Sequence, residues 1–142
     1  MAKGKGKAAP PPTKPDVEAL RAAVVGDRSD DQIIIFIPSH DSSRPQKRLA
    51  DQDVWADSAL RLFSRLYGGA TAFTALRGIW RTEDGIDLLD EPIMIQSLAK
   101  REDAESEAKL EELIGFAQRL CRETRQECVA VIGNNAIHYV RV

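Results

Sequence analysis

Cysteine and histidine are scarce, with two of each in 142 residues. Cys121 and Cys128 are too few for a disulfide-built scaffold. They fall in helix-like and strand-like surroundings, so two buried, reduced thiols are expected. His40 and His138 lie far apart and share no ligand spacing with either cysteine, so no metal site is readable, and no motif asks for a cofactor. Long apolar runs are missing too. The stretch Ile33–Ile37 spans five residues, against the ~20 that a helix needs to cross a bilayer, so no membrane partner is expected. Lys3, Lys5 and Lys7 open the chain but no apolar segment follows them. A secretory signal is therefore not expected, and a cytoplasmic compartment is.

What is present is 43% hydrophobic and 30% charged, enough for one packed domain with an ordinary solvated surface. The charge is unevenly placed. Residues 1–15 hold Pro10, Pro11, Pro12 and Pro15 with Lys3, Lys5, Lys7 and Lys14 and no acid. They read as a disordered, basic, polyproline-like tail ahead of a single domain over 16–142. The chain's net −2 leaves −6 on that body, which argues against a broad phosphate-binding surface. Nucleic acid is expected as a partner at most through the tail. Arg44, Lys47, Arg48, Arg61 and Arg65 form a basic run, but Asp51, Asp53 and Asp57 oppose it. It lacks the interleaved aromatics of a nucleic-acid patch and reads as a solvated face.

Periodicity supplies the elements. Val17, Leu20 and Val24 predict a short helix stopped by Gly26. Gln32–Ile37 is a β-branched run ended by Pro38, a strand. A loop is expected from Asp41 to Asp51. Trp55, Ala59, Leu62 and Leu66 then recur at helical spacing up to Tyr67, with Asp51 or Asp53 as cap and Gly68-Gly69 as left-handed exit. Two strands, Ala72–Trp80 and Leu89–Leu98, are expected around an Asp84-Gly85 hairpin turn. A long helix from Ala104 to Arg122 carries acids early and Arg119 and Arg122 late, which suits the helix dipole. Cys128–Ile132 and Ala136–Val142 flank Gly133-Asn134-Asn135 as a closing hairpin.

The order predicts an α+β fold: a ferredoxin-like β-α-β-β-α-β antiparallel sheet, with an extra N-terminal helix and a C-terminal strand. The first strand is expected at the centre, parallel to the third and antiparallel to the fourth. Two helices cover one face of such a sheet, yet this strand is apolar on both, with Ile34 and Phe36 opposite Ile33, Ile35 and Ile37. A face left in water alternates with polar residues. The N-terminal helix, an extended last strand or a second subunit could cover it. A homodimer through Ile34 and Phe36, assisted by the N-terminal helix, is expected, with Trp80 as an exposed interface anchor.

The same topology is expected to gather His40, Thr71, Ser97, Arg125, Gln126 and Glu127 at one end of the sheet. His40, Asp41 and Glu127 are the candidate catalytic residues; Ser39, Thr71, Arg125 and Gln126 are the candidate ligand-binding ones. Residues of these kinds also cap strand ends. Ser39-His40-Asp41 is not read as a triad, because neighbours on an extended chain point to opposite sides. Gly68-Gly69-Ala70-Thr71 follows a helix and reads as a C-cap rather than a phosphate cradle. His138 reads as a satisfied strand histidine.

Four short stretches, Gly69-Ala70-Thr71-Ala72, Gly78-Ile79-Trp80-Arg81, Glu91-Pro92 and Gln126-Glu127-Cys128-Val129, occur in this order. From Val54 onward the chain thereby resembles a family of small bacterial proteins described as a domain of unknown function. It departs from that pattern in the tail, the N-terminal helix and the closing hairpin. The resemblance implies a ferredoxin-like dimer and no catalytic residues. Three functions are compatible with the residues. The first is a non-enzymatic accessory homodimer that engages a protein partner or small ligand. The second is a Mg²⁺-dependent nuclease or toxin holding its metal on Asp41. The third is a dimeric small-molecule enzyme with an apolar pocket beside His40, lined by Phe73 and Phe116.

Overall fold

The β-branched run Ile33–Ile37 forms most of strand β1 (Asp31–Ile37), which lies at the centre of the main sheet. This computed structural model describes residues 31–142, with positions 6, 9–11 and 18 before them. The tail and helix expected ahead of Asp31 lie outside the described residues, those isolated positions aside. A ribbon of β2 (His40–Asp41) and β3 (Arg44–Arg48) comes next, followed by helix α1 (Gln52–Tyr67), β4 (Thr71–Phe73) and a hairpin of β5 (Gly78–Arg81) and β6 (Asp87–Asp90). After these come β7 (Ile93–Ala99), α2 (Arg101–Ala104), α3 (Glu107–Glu123), β8 (Val129–Gly133) and β9 (Ala136–Val140).

The sheet runs β4-β7-β1-β8-β9, and every neighbouring pair is antiparallel. With α1 and α3 crossing over it, this is a ferredoxin-like α+β fold extended by β9. One expectation is corrected. β1 is antiparallel to β7, not parallel, with Ile35 opposite Ile95 and Ile37 opposite Ile93. The α1 crossover returns β4 parallel to β1, so the strand between them must oppose both.

Two long strands were expected between α1 and α3, and each is broken. The chain leaves the sheet after Phe73, with Ala75 in left-handed backbone (φ 58°), and forms the separate β5–β6 hairpin before rejoining at Ile93. Pro92 lacks the N–H that would continue the ladder. The expected Asp84-Gly85 turn is present, with Gly85 at φ 80°. The expected loop after Asp41 contains the β2–β3 ribbon, in which His40 pairs with Arg48. The long helix is split at Glu105-Ser106, where the Ser106 hydroxyl accepts the Lys109 N–H and caps α3.

Helix α1 exits as its sequence predicts. Gly68 takes φ 90° and donates its N–H to Ser64. At the other end of α1 the Asp51 carboxylate accepts the Trp55 indole N–H at 3.1 Å instead of capping backbone. The helices bury one sheet face. Ile35, Ile37, Phe63, Ile95, Leu113, Leu120 and Val131 are fully enclosed there. Each such side chain contributes about 1.5–3 kcal/mol over its exposed state. Trp55 meets Phe116 edge to face at 5.7 Å, and the Arg119 guanidinium covers both rings. The closing hairpin turns on Asn134 and Asn135 at φ 50° and 57°, the left-handed pair that a two-residue turn requires. Gly133 beside it packs closely on Ile33, whose Cδ1 would have to move for a Cβ there, 2.7 Å away.

The opposite face of the sheet is mixed. Phe36, Met94 and Phe73 form one row across it, and Ile137, Ile132, Ile34, Gln96 and Thr71 form another. Ile34 and Phe36 are half-buried, while Leu98 and Tyr139 are 60% exposed and Ile137 56%. No helix among the described residues is long and apolar enough to cross a membrane.

Candidate functional site

Beyond β1 the chain turns at Pro38 and places Ser39 in full burial. The Ser39 N–H and hydroxyl both donate to Asp90 Oδ1, at 3.0 and 2.6 Å. Ser39 Oγ also accepts the Glu91 N–H at 2.8 Å and lies 2.6 Å from His40 Nδ1. One hydroxyl thus links the end of β1, the end of the β5–β6 hairpin and the imidazole.

Gln126 makes the second link. Helix α3 ends with Arg125 in left-handed backbone (φ 55°), so that Arg125 N–H reaches Arg122 O and Gln126 N–H reaches Cys121 O. This paired arrangement is the usual left-handed helix exit, built here on arginine where glycine is commonest. It aims the Gln126 amide at the ribbon. Its Nε2 donates to His40 O at 2.7 Å and to Thr124 O at 3.1 Å, and its Oε1 accepts the Ser42 hydroxyl at 2.8 Å.

Between these links lies a cavity of about 220 Å³. Phe36 and Ala130 belong to its sheet side. His40, Asp41, Ser42 and Pro45 line it from the ribbon, Trp80, Arg81, Leu88, Leu89 and Asp90 from the hairpin, and Gln126, Glu127 and Cys128 from the entry to β8. Three carboxylates line it against one guanidinium, and Arg81 already forms a two-pronged pair with Asp87. The Ser43 hydroxyl and N–H hold the Asp41 carboxyl below the ordinary carboxylate range, helped by the positive charges of Arg125 and Arg44. The cavity therefore joins aromatic and aliphatic walls to net negative charge, a combination suited to a cation with an apolar body.

The structure places His40, Asp41, Gln126 and Glu127 on the lining of one cavity, with the Arg125 charge near Asp41. Thr71 and Ser97 are elsewhere. Ser97 pairs with Ile33, four residues before Ile37 and so about 14 Å down the strand. Its hydroxyl is buried against Gly69 O. Thr71 pairs with Gln96 and is exposed. Their expected position followed from the parallel reading of β1 and β7; in the antiparallel sheet it is the Ile93 end of β7 that meets the site. Phe73 and Phe116 do not line the cavity either: Phe116 packs on Trp55, and Phe36, Trp80, Leu88 and Leu89 supply the apolar wall.

Two further positions, Cys128 and His138, differ from expectation. Cys121 is a buried free thiol, raised above its ordinary pKa by burial and the neighbouring Cys128, but Cys128 is only half-buried and lines the cavity. His138 Nε2 is buried without a hydrogen-bond partner among the described residues, so this strand histidine is not satisfied there. Trp80 is exposed as expected, at 53%, and it also lines the cavity. Asp90 was missed altogether. The signal was the Asp84-Gly85 turn, whose second strand ends at Asp90 immediately before Glu91-Pro92.

A ferredoxin-like domain with a small amphiphilic cavity at the end of its first strand is the class defined here. No family model and no curated protein matches the chain. Among solved structures it is similar to a phage SAM lyase in complex with S-methyl-5'-thioadenosine, at TM-score 0.56 and 16% identity over 84% of this chain and 97% of that one. It is also similar to a phage SAM lyase in the apo state, at TM-score 0.52 and 14% identity over the same shares. At these identities the likeness is one of fold.

Proposed function

We propose that this protein is a small-molecule enzyme whose cavity takes a sulfonium nucleoside of the S-adenosylmethionine type, with His40 as proton acceptor. The observation that carries the reading is the convergence of Asp41, Glu127 and His40 on a cavity walled by Phe36, Trp80 and Leu88. A sulfonium nucleoside has both halves of the complementary pattern, a positive charge and a flat apolar ring. The fold of the similar phage enzymes adds the choice of ligand to try.

A lyase step on such a ligand breaks a carbon–sulfur bond, with the electron pair leaving on sulfur. The sulfonium becomes a neutral thioether, the adjacent C–H pair becomes a double bond, and the proton passes to His40 Nε2. Positive charge on the ligand falls along this path. Asp41 and Glu127 therefore aid capture more than turnover, and the apolar wall favours the charge-dispersed transition state. Incubation with S-adenosylmethionine and chromatography for S-methyl-5'-thioadenosine tests the reading. Release by the native chain is expected, reduced about 10²–10⁴-fold in His40→Gln, a typical loss for one acid–base group. No release by the native chain contradicts it.

A second reading, an accessory homodimer, is supported by the exposed apolar side chains Leu98, Ile137 and Tyr139 on the helix-free sheet face. Native mass spectrometry showing a lone protomer counts against it. Asp41 favours the small-molecule reading over a Mg²⁺ nuclease, since it sits in an apolar-walled cavity with Oδ1 already bonded to Ser43.

A further inference from the structure

We propose that Ser39 and Asp90 are positioning residues that hold His40 as the Nδ1–H tautomer, leaving Nε2 as the lone-pair nitrogen at the cavity. The Ser39 hydroxyl decides the tautomer. A serine oxygen has a single proton to give and two lone pairs to receive with. Three partners surround Ser39 Oγ. The Glu91 N–H at 2.8 Å can only donate to it. Asp90 Oδ1 at 2.6 Å accepts, and it is already committed as an acceptor to the Ser39 N–H. The proton of Ser39 therefore lies toward Asp90, and the remaining lone pair faces His40 Nδ1 at 2.6 Å. Only a ring that carries its proton on Nδ1 completes this set.

The reverse assignment fails on the same count. If Ser39 gave its proton to Nδ1, Ser39 Oγ and Asp90 Oδ1 would face each other 2.6 Å apart with no proton between them. Ser39 is fully buried, so bulk water does not reach its hydroxyl to relieve that repulsion, and a buried polar group left unmet is destabilising. The tautomer of an imidazole is set by the bond its other nitrogen makes. Here that bond is set two residues away, by a carboxylate on the β6 strand.

Its functional meaning rests on the cavity being the working site, since a neutral Nε2 lone pair is what a base there needs. The tautomer itself belongs to the free protein and is measured without any ligand. The chain has two histidines, so a ¹H–¹⁵N multiple-bond spectrum of the imidazoles, recorded at alkaline pH, shows two rings that His138→Gln separates. The His40 ring is expected in the Nδ1–H pattern. Asp90→Ala frees the Ser39 proton to turn toward Nδ1, and the pattern is expected to invert to Nε2–H. Asp90→Asn keeps an accepting oxygen and is expected to retain the native pattern. An Nε2–H pattern in the native chain overturns the proposal, and so does an Asp90→Ala spectrum unchanged from native. The native spectrum decides even where a variant fails to fold. A correct tautomer with no release of thioether leaves this proposal standing and removes the enzymatic reading alone.

Discussion

Asp90 Oδ1 accepts both the backbone N–H and the hydroxyl of Ser39, a residue 51 positions earlier in the chain. This junction pins the inserted β5–β6 hairpin to the end of the central strand and closes one wall of the cavity. Replacing Asp90 by Ala leaves the buried Ser39 N–H without its acceptor and turns the Ser39 hydroxyl from the hairpin to His40. A loss of about 1–3 kcal/mol is expected in urea denaturation. Hydrogen exchange in β5 and β6 is expected to accelerate more than exchange in β1.

Gln126 does the equivalent work on the other side. Its amide satisfies His40 O, Thr124 O and the Ser42 hydroxyl. Gln126→Ala is expected to cost about 1–3 kcal/mol and to free the β2–β3 ribbon, read as faster amide exchange at His40 and Leu49. A Gln126→Glu variant keeps the acceptor for Ser42 but loses both donated bonds, so it is expected to fall near Gln126→Ala.

Arg125 carries backbone strain for this geometry, with φ 55° at the exit of α3. Glycine adopts that conformation without the Cβ penalty of about 1–2 kcal/mol. Arg125→Gly is therefore expected to raise stability by about 1 kcal/mol while preserving the Gln126 bonds. A fall in the denaturation midpoint counts against this assignment.

Burial, with the Asp103 and Asp31 carboxylates nearby, pushes the Tyr67 phenol up from its ordinary 10 to about 12. The folded state thus holds this proton more tightly than the unfolded state. The stability it contributes is complete below pH about 10 and is lost as pH rises through about 12. Denaturation midpoints measured across that window are expected to decline, and the Tyr67→Phe variant to decline less.

The ferredoxin-like fold was legible because its signals are local and strong: the Ile33–Ile37 run, the Trp55–Leu66 stripe, the charge polarity of α3 and the Asn134-Asn135 turn. Strand direction was not a matter of residue pattern, and one wrong sign displaced Thr71 and Ser97 to the wrong end of the sheet. Half of the site was visible as His40, Asp41, Gln126 and Glu127, all close to strand or helix ends. The remainder depends on the β5–β6 hairpin leaving the sheet. Propensity placed strands on either side of Asp84-Gly85 but did not show where the pair packs. Trp80, Leu88 and Asp90 reach the cavity only through that tertiary choice.

Calorimetric titration of the native chain and of an Asp41→Asn, Glu127→Gln double variant, each with S-adenosylmethionine and with uncharged S-methyl-5'-thioadenosine, tests the complementarity of this cavity most directly. The native chain is expected to bind both. The double variant is expected to lose about tenfold or more for the cation, some 1.4 kcal/mol, while its affinity for the thioether stays nearly constant. Absence of heat from either ligand with the native chain, or equal losses for both in the variant, contradicts the account.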